Sequence, residues 1–450
     1  MEDDSKTYTI DEALTALGFG KFQVFVLLYA GMGWVSEAME MMLLSFVGSA
    51  VQSVWGLSYH EESMITSVVF AGMLIGAYSW GIVSDICGRR KGFLVTATIT
   101  AGAGFLSAFS PNFTLLIILR GLVGVGLGGG PVLSSWFLEF IPAPDRGTWM
   151  VMLSAFWTLG TVFEASVAWF VMPRLGWRWL LAVSALPSSM LLLFYRMTPE
   201  SPRYLCMRGR KSEAVAILEK IARVNGRKLP RGILVCSDSN VELEEEEELK
   251  ESLSEENTKL IPSPVPREGK DNDDSRKSGC ISLLVMLLSP ELIRSTLLLW
   301  VVFFGIAFAY YGLVLLTTEL NSNHITCIQE ELRSSGNHQD VVSYRDVFIT
   351  SFAEFPGLIL SAATVDKVGR KKSMAAMFFL CFIILLPLMF HQPQSLTTGL
   401  LFGARICITG TFTVIYIYAP EISNIHEDDW GWGGKLCGEN WWNGVSSCCR

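Results

Sequence analysis

The sequence predicts an all-α membrane protein built from two related halves, and three observations predict it. Half of its 450 residues are hydrophobic and only 17% are charged, with a mean hydropathy of +0.39, too apolar for a soluble globule of this length. Ten apolar stretches reach roughly 20 residues, the length a helix needs to cross a ~30 Å hydrocarbon layer. A short charged turn between two such stretches occurs twice, as Gly-Ile-Val-Ser-Asp-Ile-Cys-Gly-Arg-Arg-Lys at 81–91 and, loosely, as Ala-Thr-Val-Asp-Lys-Val-Gly-Arg-Lys-Lys at 363–372. One such turn fits any membrane hairpin, whereas its recurrence implies duplication of a multi-helix unit.

The elements follow in order. Residues 1–21 are polar and acidic and lack the basic, apolar and small-residue succession of a secretory signal, so the first membrane helix directs insertion. The predicted spans are 22–50, 64–84, 93–110, 113–138, 149–171 and 177–196 in the first half, then 291–319, 345–365, 373–390 and 398–419 in the second. Arg89, Arg90, Lys91, Arg146, the 197–290 loop, Lys367, Arg370, Lys371 and Lys372 all fall on one side, while the turn at 51–63 has no Lys or Arg. The positive-inside rule makes the basic side cytosolic and the N-terminus with it. Either the plasma membrane or the vacuolar membrane fits a multi-pass protein of this kind.

These patterns divide the chain into a half at 1–205, a cytosolic loop at 206–290, a second half at 291–423 and a tail at 424–450. The loop begins with an amphipathic stretch from Lys211 to Arg223 and continues as an acidic linker that includes Glu244–Glu248, a solvated spacer or a docking segment. That linker supplies most of the net charge of −8. Of the ten cysteines, Cys87, Cys381 and Cys407 lie in or beside spans, and Cys206, Cys236 and Cys280 in the loop. Such scatter argues against a disulfide framework. No metal cluster, catalytic triad or phosphate loop stands outside the spans, so the reading is of no enzyme, no cofactor, no metal and no nucleic-acid partner. The lipid bilayer is the partner.

Charges inside spans cost roughly 2.5–3.5 kcal/mol each on insertion scales and need a partner or a task. Six stand out: Glu37 and Glu40 three apart on one face of the first helix, Glu164, Glu354, Arg120 and Arg405. Four carboxylates against two guanidiniums leave negative charge around a pathway, which suits a cationic cargo, a coupled proton, or both. Burial raises the proton affinity of a carboxylate, which makes Glu37 and Glu354 candidate proton carriers. A structural pair of Glu40 or Glu164 with Arg120 is the competing reading. Tyr310 and Tyr311 lie near the middle of the seventh span, where aromatic faces can hold a quaternary ammonium or simply pack; Phe70, Trp157 and Tyr416 are further candidates. In the run 120–131, Gly124, Gly126 and Gly129 match a dinucleotide fingerprint by chance, with no strand before them. Glycines four apart at Gly124 and Gly128 instead allow helices to pack closely, and Pro131 can kink the span.

The two charged turns, the run from Met32 to Ser45, the 120–131 segment, Pro142–Gly147, the Pro-Glu-Ser-Pro-Arg-Tyr-Leu signature at 199–205 and the Tyr310-Tyr311 pair carry a resemblance. The chain resembles the plant organic cation/carnitine transporter group of the major facilitator superfamily, in its type-seven-like branch. The resemblance implies a major facilitator fold of two six-helix halves, with about ten of the twelve helices legible here. It implies secondary transport of a small organic ion by alternating access, coupled to a proton or another cation. A carnitine-like cation or zwitterion is the first cargo, and a nicotinate-like anion met by Arg120 or Arg405 is the second. It also makes Asp85, Gly88, Arg89 and Arg90, with Asp366, Gly369 and Arg370, a cytosolic gate whose charge contacts break as the halves rock. Helices eleven and twelve are not legible after Glu421; the Trp- and Cys-rich tail reads either as a frame-shifted or alternatively spliced replacement, giving a truncated product that does not transport, or as the end of a genuine ten-helix variant.

Overall fold

The computed structural model describes residues 7–236, 293–332, 344–390 and 392–428. A two-residue strand β1 (Thr7–Tyr8) and a short helix α1 (Ile10–Leu17) precede the first half. That half comprises α2 (Lys21–Trp55), α3 (Tyr59–Cys87), α4 (Arg89–Ser107), α5 (Phe113–Leu127), α6 (Gly130–Leu138), α7 (Arg146–Leu175), α8 (Trp177–Ser184) and α9 (Leu186–Phe194). Then come α10 (Pro202–Met207), α11 (Lys211–Asn225) and β2 (Ile233–Leu234). The second half holds α12 (Ile293–Leu332), α13 (Tyr344–Phe352), α14 (Glu354–Val368), α15 (Arg370–Leu385) and α16 (Gln394–Asp428).

Among the described residues, nine helical segments are long and apolar enough to cross a bilayer. Each coincides with an expected span. The tenth, at 93–110, forms helix α4 but is not among the nine: Arg89, Arg90 and Lys91 fill its first turn, and glycines and threonines dilute its apolar face. Packing explains that composition, since a Cβ on Gly126 or Gly129 would run into Thr100 or Thr96. Small residues play the same part between α3 and α5, where a Cβ on Gly124 would strike the Val69 backbone and one on Gly128 the backbone of Ala77. The span at 113–138 breaks between Leu127 and Gly130, and Pro131 sits in the first turn of α6.

The duplication is visible in the backbone. Gly88 joins α3 to α4 at φ 106, ψ 149, and Gly369 joins α14 to α15 at φ 88, ψ 155. Both conformations belong almost exclusively to glycine. Their surroundings differ: a Cβ on Gly88 would lie 2.5 Å from Glu200 Oε2, while among the described residues nothing lies within 4 Å of one on Gly369. Gly369→Ala is therefore expected to lose about 1–2 kcal/mol from backbone strain alone, and Gly88→Ala more, because Glu200 must also move. Thermal unfolding of the two variants in detergent checks this; equal losses would contradict the part assigned to Glu200.

Outside the bilayer the expected amphipathic helix is α11, which buries Ala214, Leu218, Ile221 and Ala222. Its Asn225 accepts from the Phe22 N–H at 3.0 Å and donates to Gln23 at 2.8 Å, which fixes it to the start of α2. β1 pairs in parallel with β2, Thr7 opposite Ile233 and Tyr8 opposite Leu234. Asp11 in α1 forms ion pairs with Arg146 and Arg203. Within this cap Cys206 and Cys236 are joined by a disulfide, their Cα atoms 5.7 Å apart. That overturns the expectation drawn from cysteine scatter, because the strand pairing returns the chain to α10 after thirty residues. The linker with Glu244–Glu248, Cys280 and the tail from residue 429 lie outside the described residues.

Candidate functional site

The six intramembrane charges separate into three environments. Arg120 on α5 is fully buried, with Nη1 2.9 Å from Glu40 of α2 and Nε donating to Ser107 Oγ at 3.2 Å. Arg405 on α16 repeats the pattern: Nη2 lies 2.9 Å from Glu354 of α14 and Nη1 donates to Ser351 Oγ at 3.2 Å. Each half thus holds one guanidinium neutralised by one carboxylate and braced by one serine, as the low dielectric demands. Glu164 on α7 accepts from Ser184 Oγ at 2.8 Å and lies within electrostatic reach of Glu40 and Arg120. A second carboxylate therefore lies within electrostatic reach of the Glu40–Arg120 pair without joining it.

Glu37 is different. It is half-buried, against Gly130 of α6, and acts electrostatically on Tyr311 and Tyr416 of the second half. Among the described residues no hydrogen bond or ion pair reaches its carboxylate. Glu37 and Glu40 were expected on one face, yet three residues of helix turn them about 60° apart. That angle sends Glu40 into the first half and leaves Glu37 toward the interface.

An aromatic cavity lies between the halves, lined by Trp34, Trp157, Tyr310, Phe412 and Tyr416 together with Ser154, Thr158, Leu358, Thr409 and Thr413. Its volume is about 20 Å³, space for about one water, so an organic ion enters only if these rings move. The rings are interlocked: Trp34 meets Trp157 edge-on at 5.8 Å, and Phe412 lies 5.2 Å from both Tyr310 and Tyr416. Tyr311 packs edge-on against Phe70 at 5.2 Å. Sequence reasoning named Phe70, Trp157, Tyr310, Tyr311 and Tyr416 but missed Trp34 and Phe412. It also missed Thr161, whose hydroxyl donates to Glu354 at 3.0 Å. Trp34 lies within the Met32–Ser45 run, whereas a lone span threonine carries no signal.

The first charged turn is built within the first half. Arg89 is buried, 3.0 Å from Asp85 and 3.1 Å from Glu139, and donates to Ser84 at 3.1 Å. Glu200, from the 199–205 signature, accepts from the N–H groups of Arg90 at 3.0 Å and Ser201 at 3.1 Å, so it caps the start of α4. Burial pushes the Glu200 carboxyl up from its ordinary value, against the lowering effect of those two N–H donors. The Arg90 guanidinium lies over the Tyr195 ring at 4.5 Å. In the second half, Arg370 opens α15 directly after Gly369, and Lys371 faces the Tyr418 ring at 5.7 Å. The side chain of Asp366 lies outside the described residues. Among the described residues no group of three or more His, Cys, Asp or Glu side chains could hold a metal ion.

Comparison with known proteins places this geometry. The Major Facilitator Superfamily model matches residues 29–427. Organic cation/carnitine transporter 7 of Arabidopsis thaliana is 65% identical over 428 residues, covering 94% of this chain and 84% of that protein. Synaptic vesicle 2-related protein of Xenopus laevis is 38% identical, covering 92% of this chain and 70% of its own length. In fold, the chain is similar to the xylose transporter XylE of E. coli in a partially occluded inward-open conformation, with a TM-score of 0.60 at 17% identity and coverage of 95% and 92%. Nine membrane-length helices among the described residues, a glycine turn repeated in each half, paired charges in each half and a cavity between the halves are thus the features of a known architecture: the chain belongs to the Major Facilitator Superfamily.

Proposed function

We propose that this protein carries a small organic cation or zwitterion of the carnitine type across a membrane by alternating access, with Glu37 as the cargo's counter-charge. The observation that carries the proposal is that Glu37 is the intramembrane carboxylate without a hydrogen-bond or ion-pair partner among the described residues, within electrostatic reach of Tyr311 and of the cavity-lining Tyr416. A quaternary ammonium gains from aromatic faces and from one nearby carboxylate. The similarity to organic cation/carnitine transporter 7 supports the same cargo class. An anionic cargo would need an unengaged guanidinium, and both Arg120 and Arg405 are engaged with carboxylates.

Coupling falls to the Glu40–Arg120–Glu164 group, where two carboxylates face one guanidinium and a single added proton balances the charge. Residues 1–205 and 291–423 act as the two moving halves, joined by 206–290, with the N-terminus and the basic turns on the cytosolic side. Expression in a cell lacking carnitine and nicotinate uptake tests the proposal, with entry of both labelled compounds measured once membrane insertion is confirmed. Carnitine accumulation without nicotinate accumulation is the expected result; the reverse selectivity would overturn the proposal.

A further inference from the structure

Glu354 takes polar contacts from both halves. Its Oε1 accepts from Arg405 Nη2 and from the Tyr310 hydroxyl, each at 2.9 Å, and its Oε2 accepts from Thr161 Oγ1 at 3.0 Å. The Trp157 indole N–H donates to the Tyr310 hydroxyl at 2.7 Å, so that hydroxyl receives one bond and gives another. Tyr310, Glu354 and Arg405 belong to the second half, Trp157 and Thr161 to α7 of the first. Glu354 itself is fully buried.

Two details suit this network to repeated opening. The ion pair with Arg405 lies inside one half, so separating the halves never leaves the Glu354 charge without its guanidinium, which would be prohibitive in the membrane interior. The contacts that cross the interface are hydrogen bonds to neutral groups. Thr161 also has a second acceptor, the carbonyl of Thr158 in its own helix at 3.0 Å. One hydroxyl proton serves one acceptor at a time. Donated to Glu354 it ties the halves together; turned to Thr158 it is satisfied within α7, so release leaves no orphaned donor.

We propose that Thr161 and Trp157 are positioning residues of an occlusion latch, closing the halves over the cavity through Glu354 and Tyr310. Trp157 and Tyr310 also line the cavity. A cargo that spreads those rings therefore moves the hydrogen bond that sets the Tyr310 hydroxyl on Glu354, and occupancy reports directly to the latch. The cargo part of this inference rests on the proposed transport function; the latch does not.

The test separates the two. Spin labels carried by unnatural amino acids at Ser53 and Ser395, exposed positions on opposite halves, report the inter-half distance of the full chain in nanodiscs by pulsed electron resonance, without cargo. Thr161→Val and Tyr310→Phe, both close in volume to the native residues, are expected to shift or broaden the distance distribution by several ångströms, and Thr161→Ser to restore the wild-type distribution. Wild-type distributions in both Thr161→Val and Tyr310→Phe, or failure of Thr161→Ser to restore, would overturn the latch. Labelled carnitine uptake by the same variants tests the cargo assignment alone: shifted distances with no wild-type uptake leave the latch standing and remove the cargo.

Discussion

Glu37→Gln is expected to lower carnitine uptake efficiency about a hundredfold while leaving thermal stability equal to wild type or higher. The two effects come from the same fact. Truncating one partner of a desolvated charge pair typically loses ~2–5 kcal/mol of interaction, and about 1.4 kcal/mol is a factor of ten. Glu37 has no protein partner among the described residues, so removing its charge orphans no group in the apo protein and relieves an unpaired carboxylate of its desolvation. Initial uptake rates over a range of carnitine concentrations, with an unfolding curve in detergent, measure both. Retained uptake would remove Glu37 from the cargo site, and a marked loss of stability would mean it is a structural residue after all.

Arg405→Met is expected to behave in the opposite way, with a loss of ~3–5 kcal/mol in stability. It leaves Glu354 fully buried with its charge facing only the neutral donors Tyr310 and Thr161. Pairing it with Glu354→Gln should recover most of that loss, because the second change removes the uncompensated charge. Arg120→Met with Glu40→Gln forms the matching cycle in the first half, with a smaller recovery because Glu164 still feels the missing guanidinium. Unfolding of the four variants in detergent decides it. A double variant no more stable than Arg405→Met would show that the arginine acts by packing and not by neutralising Glu354.

Much of this was legible in the sequence because membrane constraints are strong and one-dimensional. Span length and apolarity located all nine membrane-length helices found among the described residues, and the recurrence of the charged turn is matched by two glycine joints at positive φ. The one departure, α4, traces to small and hydroxyl residues chosen for packing against α5 and α6, which dilute the hydropathy that length-based reading relies on. Intramembrane charges were visible as a set, yet their partners were not: the split of Glu37 from Glu40 depends on a rotation of about 60° against neighbouring helices. Thr161 and Phe412 carry no charge and no motif, so nothing in the linear pattern set them apart from packing residues. The Cys206–Cys236 bond depended on a two-residue strand pairing between the N-terminal segment and a distant loop, a contact too short to leave a periodic trace.

The most direct test of the central claim, that Glu37 meets a positively charged cargo, is a competition measurement on the purified chain in proteoliposomes. Labelled carnitine entry is followed against excess choline and against excess benzoate, for wild type and Glu37→Gln. Choline is expected to suppress entry in the wild type, benzoate to leave it unchanged, and the Glu37→Gln protein to show little entry for either to suppress. Suppression by benzoate with indifference to choline, at rates that Glu37→Gln does not alter, would contradict that claim.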